Sequence, residues 1–193
     1  STSIPAGSQV AVAETGELFQ NPNEIIISKS QVLRTSITVS NFELFRDYII
    51  TIDGSPQSYN TGSGDDAAVV ISELAILINN ISGVSAVVNS EDPLILEIET
   101  DNLEDPLNVQ ASSNLQFEQI TSPGFFEAVE TGPIQVLPGT FTEIVTPVSG
   151  WDSITNTNEG LQGRARESDQ ELRERARLSQ SVVGAASLPA IRS

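Results

Sequence analysis

The stretch 65–81 carries the strongest helical periodicity in the first 160 residues, and short β-rich runs surround it on both sides. Ala67, Ile71, Leu74, Ile78 and Ile81 recur at spacings of four and three, with Val70 and Leu77 widening the apolar face. Asp65 and Asp66 suit the positive end of the helix dipole, and Gly83 suits its termination. One helix among many short strands points to an α+β chain in which the helix covers one face of an antiparallel sheet.

The strands are legible from alternation and turn signals. Tyr48 to Ile52 reads as a strand, Asp53-Gly54-Ser55 as its turn, and Tyr59 lies in the return strand of a hairpin. Val84 to Val88 and the cleanly alternating Leu94 to Glu99 follow the helix, then Leu107 to Ala111 and Leu115 to Ile120. Before this region, Gln9 to Val12, Glu24 to Ser28 and Val32 to Val39 have strand character. After it come Phe125 to Val129, Ile134 to Leu137 and Phe141 to Val145, separated by Pro/Gly turns. Pro147 to Asn158 is irregular and polar apart from Val148, Trp151 and Ile154. A second helix begins at Ser168-Asp169-Gln170-Glu171, a Ser-x-x-Glu capping box, with Leu172, Ala176, Ser179 and Val183 on one face and a Glu171–Arg175 pair. That helix is short of apolar partners in its own segment, so it is expected to dock on something outside it.

Composition narrows the chemistry. The 193 residues allow one domain or two small ones, and they include no His, Cys or Met. Imidazole acid/base chemistry, thiol nucleophiles, disulfides and ordinary zinc, haem or iron–sulfur ligation are therefore excluded. A metal would have to be a hard cation on oxygen ligands. The formal charge is −17, unevenly placed. Arg164, Arg166, Arg173, Arg175, Arg177 and Arg192 are six of the nine basic residues and face four acids, so 164–193 carries +2 and the rest −19. Such a surface repels phosphate backbones and anionic lipid, so neither nucleic acid nor membrane is expected as a partner. No signal peptide is visible in 1–7 and no apolar run approaches a membrane span.

Carboxylates are the abundant reactive groups. Glu97 and Glu99 share a strand face, but alternating outward acids are the expected polar side of an amphipathic strand. Asp101-Asn102-Leu103-Glu104-Asp105 lacks calcium-loop spacing and reads as a solvated acidic turn. Gly62-Ser63-Gly64 precedes a helix as phosphate loops do, yet Asp65 and Asp66 would repel a phosphate and no Lys follows. No catalytic, cofactor or metal residue is assigned, and an enzyme is not expected. Trp151, the single Trp, lies in a Pro/Gly-bounded polar loop and is an anchor either into the local core or into a contact between subunits.

The run Thr146-Pro147-Val148-Ser149-Gly150-Trp151-Asp152-Ser153-Ile154-Thr155-Asn156, then Gly163-Arg164, then Glu167-Ser168-Asp169-Gln170-Glu171-Leu172-Arg173-Glu174-Arg175, resembles the signature of the baseplate J-like family. These are baseplate wedge proteins of contractile-tailed phages and related injection machines. Ile4-Pro5-Ala6-Gly7-Ser8, with Gly16 and Phe19 after it, resembles the family's entry strand, and Gly132 to Ile144 resembles its strand pair before the signature. The resemblance covers about 1–35 and 122–190. It implies a discontinuous mainly-β domain (1–38 and 122–160) and a linker with a C-terminal helix (161–193) leading to a missing region, while 39–121, outside that pattern, reads as an inserted β–β–α–β–β module whose layout resembles a small β/α module of phage tail proteins. Residue 1 is not Met, which fits a central fragment of a longer chain.

The function implied is structural. The chain would be part of a wedge that assembles in a ring around the central hub and rearranges to trigger tail contraction. It would work in the virion after synthesis in the host cytoplasm, with other wedge and hub proteins as partners and a homodimer possible in the full-length protein. Trp151, Arg164, Arg166, Arg173 and Arg177 are the expected partner contacts. No cofactor is implied. The rival reading is a receptor- or glycan-binding tail module that uses the inserted part.

Overall fold

The computed structural model describes residues 1–164 and 167–185, and these form a mostly β architecture with two helices. In chain order the strands are β1 (Thr2–Ile4), β2 (Gln9–Val12), β3 (Leu18–Gln20), β4 (Ile25–Ile27), β5 (Arg34–Val39), β6 (Asp47–Ile52) and β7 (Ser55–Asn60). Helix α1 (Ala67–Ile78) follows, then β8 (Val84–Val88), β9 (Ile95–Thr100), β10 (Val109–Ala111), β11 (Leu115–Thr121), β12 (Glu127–Ala128), β13 (Phe141–Ile144) and helix α2 (Asp169–Ala185). They make four sheets, ordered β1-β4, β10-β6-β7, β11-β5-β9-β8 and β12-β3-β2-β13, with every pairing antiparallel.

Two apolar cores organise these sheets. The first draws on Val32, Ile37, Tyr48, Ile50, Ile52, the buried face of α1, Leu96, Ile98 and Val109. Alternation does the sorting: in β6, Tyr48, Ile50 and Ile52 are buried while Ile49 and Thr51 are half-buried. The second core joins the two ends of the β region, with Ile4, Val10, Val12 and Phe19 packing against Val136, Phe141 and Trp151. The chain crosses between the cores twice, and the crossings are braced side by side. Ser28 N donates to Ser122 Oγ at 3.1 Å, Leu33 N to Thr121 O at 2.8 Å, and the Lys29 ammonium lies 4.0 Å from the centre of the Phe117 ring.

The expected boundary at residue 38 falls within β5. β5 pairs with β9 from Arg34↔Glu99 to Thr38↔Ile95 and with β11 on its other edge, so it is a central strand of the four-stranded sheet and not a continuation of β4. Val32 already bridges to Leu107. Between residues 47 and 100 the chain order is β6–β7–α1–β8–β9, and of the two later strands β10 pairs with β6 and β11 with β5. The stretch Ile134 to Leu137 forms no strand. Pro133 and Pro138 bracket it and cannot donate to a ladder. It is held instead by Gly160 N to Val136 O at 2.9 Å and by the Asn156 amide, which donates to Leu137 O at 2.8 Å.

Helix α1 begins at Ala67, two residues into the 65–81 stretch. Asp66 is the N-cap, extended at φ −135°, and its carboxylate accepts from Val69 N at 2.9 Å. Asp65 turns away to accept from Tyr59 Oη at 2.9 Å and Gly62 N at 2.7 Å, which holds the Tyr59 phenol above its usual range. At the other end Asn79 does a strand's work. Its amide donates to Ala86 O at 2.7 Å and accepts from Ala86 N at 2.9 Å, covering the outward backbone groups of β8, an edge strand. Asn79→Ala strips both bonds and is expected to cost about 1–2 kcal/mol of stability. Urea unfolding at unchanged m-value measures it.

Candidate functional site

The candidate surface is assembled from the residues the sequence singles out. Glu97 on β9 is one. The Asn89 amide donates to it at 2.6 Å and the Arg34 guanidinium at 2.5 Å, and together they hold its carboxyl below the usual carboxylate range. Glu99 sits on the same face opposite Arg34 and is exposed. Around Glu97 lies a shallow recess of about 190 Å³ lined by polar side chains that include Ser36, Gln119 and Thr121. The neutralised Glu97 leaves no pair of unbound carboxylates facing a shared cavity here.

The pH dependence has a definite sign. A carboxylate with a depressed folded-state pKa adds stability above its unfolded value and loses it as pH falls through the folded value. Glu97→Gln is therefore expected to be slightly less stable than the parent at neutral pH and to lose less on acidification. Because the pair is partly exposed the effect is small. Urea midpoints for both proteins between about pH 7 and about pH 3 check it.

The other acidic segments serve the backbone. The Asp53 carboxylate accepts from Asn108 N at 2.8 Å, and Asp53-Gly54 have φ of 50° and 80°, as a two-residue hairpin turn requires. Asn102 Oδ1 accepts from Glu104 N at 3.1 Å, and the Thr100 hydroxyl donates to Asn102 O at 3.1 Å, so 100–105 is a hydrogen-bonded turn. Among the described residues no group of three or more Asp or Glu is arranged to hold a metal ion.

The expected partner residues divide into two groups. Trp151 is buried at 7% exposure in the second core, its ring stacked on Phe126 with centroids 6.3 Å apart. Of the two anchor roles expected for Trp151, the ring packs within the chain's own core. Arg164, Arg173 and Arg177 are exposed, and Arg166 lies outside the described residues, as does Arg192. Helix α2 carries Arg173 and Arg177, and every side chain described on it, 169–179, is exposed. Its start is a reciprocal cap: Ser168 N donates to Glu171 Oε2 at 2.8 Å and Glu171 N to Ser168 Oγ at 3.3 Å, which lowers the Glu171 carboxyl's pKa. With Glu171 turned back to its cap, Arg175 pairs with Glu167 at 2.9 Å and not with Glu171. Leu172 and Leu178 are exposed at 48% and 68%, so the apolar stripe expected from Leu172, Ala176 and Ser179 faces outward. The side chain of Val183 lies outside the described ones.

Several residues that position these surfaces were not singled out by periodicity. Asn21, fully buried, donates to Pro5 O at 2.9 Å and Asn23 O at 2.8 Å and ties β1 to the β3–β4 turn. Gly163 runs against the backbone of Gly132, where a Cβ would lie 2.4 Å from the Gly132 oxygen. Neither leaves a signature in a single sequence, because each is defined by a distant carbonyl.

No protein-family model matches the chain, and no curated protein matches it. Among the described residues no helix is long and apolar enough to cross a membrane.

Proposed function

We propose that the chain is a structural part of a contractile-tail baseplate wedge, acting in the virion through contacts with neighbouring wedge and hub proteins. The observation that carries the proposal is the run 146–175, with its Trp151 loop, Gly163-Arg164 and the helix start at Ser168. Three structural features support it. The 1–27 and 123–160 stretches close one core, as the two halves of an interrupted β domain would. The first, larger core is built between them, which supports an inserted module whose first strand is β5. Helix α2 has 17 residues, and its side chains from 169 to 179, Leu172 and Leu178 among them, are exposed, which suits docking on a partner. The mechanism is then mechanical: interfaces repack between two states of the ring, and no bond is made or broken.

The test is charge reversal on α2. Arg173→Glu with Arg177→Glu alters exposed side chains and leaves both cores intact. Supplied in place of the natural gene, that variant is expected to fold but to yield tails lacking complete baseplates. Normal, contractile tails would overturn the proposal. The receptor- or glycan-binding reading rests on the polar recess around Arg34 and Glu97, and binding of the purified protein to a glycan array would favour it.

A further inference from the structure

The loop between β5 and β6 presents two apolar side chains on a rigid mount. Leu44 is 43% exposed and Phe45 is 68% exposed. Phe45 sits at φ +58°, in the left-handed region that a bulky residue adopts at a cost in strain. Buried groups hold it there. Tyr48, fully buried, accepts from Glu43 N through its hydroxyl at 2.8 Å. Thr61, also fully buried, donates from Oγ1 to Glu43 O at 2.9 Å and accepts from Arg46 N at 3.0 Å. Phe45 N donates to Thr61 O at 2.9 Å, Thr61 N to Arg46 O at 3.0 Å, and Arg46 closes the loop on Glu43 at 2.7 Å. A loop so fixed has already lost its conformational freedom, which is what an anchor residue needs in order to bind tightly.

The surroundings are acidic. Asp47 follows the loop, and the Asp65 carboxylate accepts from Gly62 N beside Thr61, so with Glu43 three carboxylates stand against the single Arg46. The whole chain carries −17, which opposes a second copy as the occupant and favours a basic one. We propose that Leu44 and Phe45 form a preformed knob that seats in an apolar recess of another protein, the recess being bordered by Lys or Arg. This surface is independent of α2 and of the baseplate reading.

Two measurements test it. Phe45→Gly relieves the left-handed strain, so it is expected to be as stable as the parent or more so in urea; a less stable variant would make Phe45 a folding residue and overturn the knob. A photoreactive p-benzoylphenylalanine at position 45 of the full chain, in cells that produce it, is expected to crosslink one other protein at an apolar segment flanked by Lys or Arg. The yield should exceed that from the exposed control position Val87 by about tenfold and fall on Leu44→Ala. Crosslinking to a second copy, to nothing, to a segment without basic flanks, or equally from both positions would overturn the proposal. Because the readout is the mapped segment, it stands or falls separately from tail assembly.

Discussion

Trp151→Ala is expected to destabilise the protein by about 3–5 kcal/mol, as removal of a large buried aromatic does. The ring fills the second core against Ile4, Val10 and Phe141 and stacks on Phe126 at an interplanar angle of 23°. The loop that carries it is as constrained as the ring. Trp151 N donates to Val148 O at 3.0 Å, and Gly150 at φ +83° passes so close to β1 that a Cβ would lie 2.6 Å from Thr2 Oγ1. Loss of the ring therefore releases β1 together with the strands it covers. Urea unfolding followed by hydrogen exchange gives the measurement. Amides of β2, β3 and β13 should exchange faster, while those of β5, β6 and β9 should hold. A loss below about 1 kcal/mol would mean that the ring is not packed within the chain and would return it to the role of a subunit contact.

Leu74→Ala is the second large effect, at about 2–5 kcal/mol. Leu74 is fully buried on α1, beside Ile71 and Ile78, and the helix packs against β5, β7, β8 and β9. The helix is thus what joins the two sheets of the first core, and a cavity there weakens both. The expected pattern of exchange is the reverse of that for Trp151: β6 and β9 loosen and β2 and β13 hold. If both substitutions loosened both regions equally, the two cores would be one cooperative unit.

Local pattern made a good part of this fold readable. The α1 segment, the hairpin at Asp53-Gly54 and the alternation of β9 depend on neighbours in sequence, and each is found where expected. What pattern could not supply is the choice of partner. The β-branched run of β5 is the same whether it pairs with β4 or with β9, so its place beside β9 is not legible from the run itself. The same limit explains β10, whose partner β6 lies more than fifty residues away. The expected strand at Ile134 to Leu137 failed for another reason, since two flanking prolines remove the donors a ladder needs. For the candidate surface, the arginines of α2 were legible as charge, and Trp151 as an anchor whose core and interface roles were both open. The core role is what the packing around it gives. Phe45 had no signal beyond three apolar residues, Phe42, Leu44 and Phe45, in an otherwise polar connection. Its backbone angle and its exposure exist only in three dimensions.

The charge is divided between a −19 stretch, 1–163, and a +2 stretch, 164–193. Exposed acids lie on strand faces, as Glu99 does, and in turns, as Asp101 and Glu104 do, and Arg173, Arg175 and Arg177 lie on a helix whose described side chains all remain exposed. Both are features suited to contact with other chains.

The most direct measurement of the assembly role is the location of the protein itself. Particles purified from the producing cells would be labelled with an antibody against an exposed segment and viewed by electron microscopy. The account predicts label confined to the distal, baseplate end of contractile tails, in several copies around the tail axis. Purified tails that contain none of the protein, or label along the sheath or at the head, would contradict it.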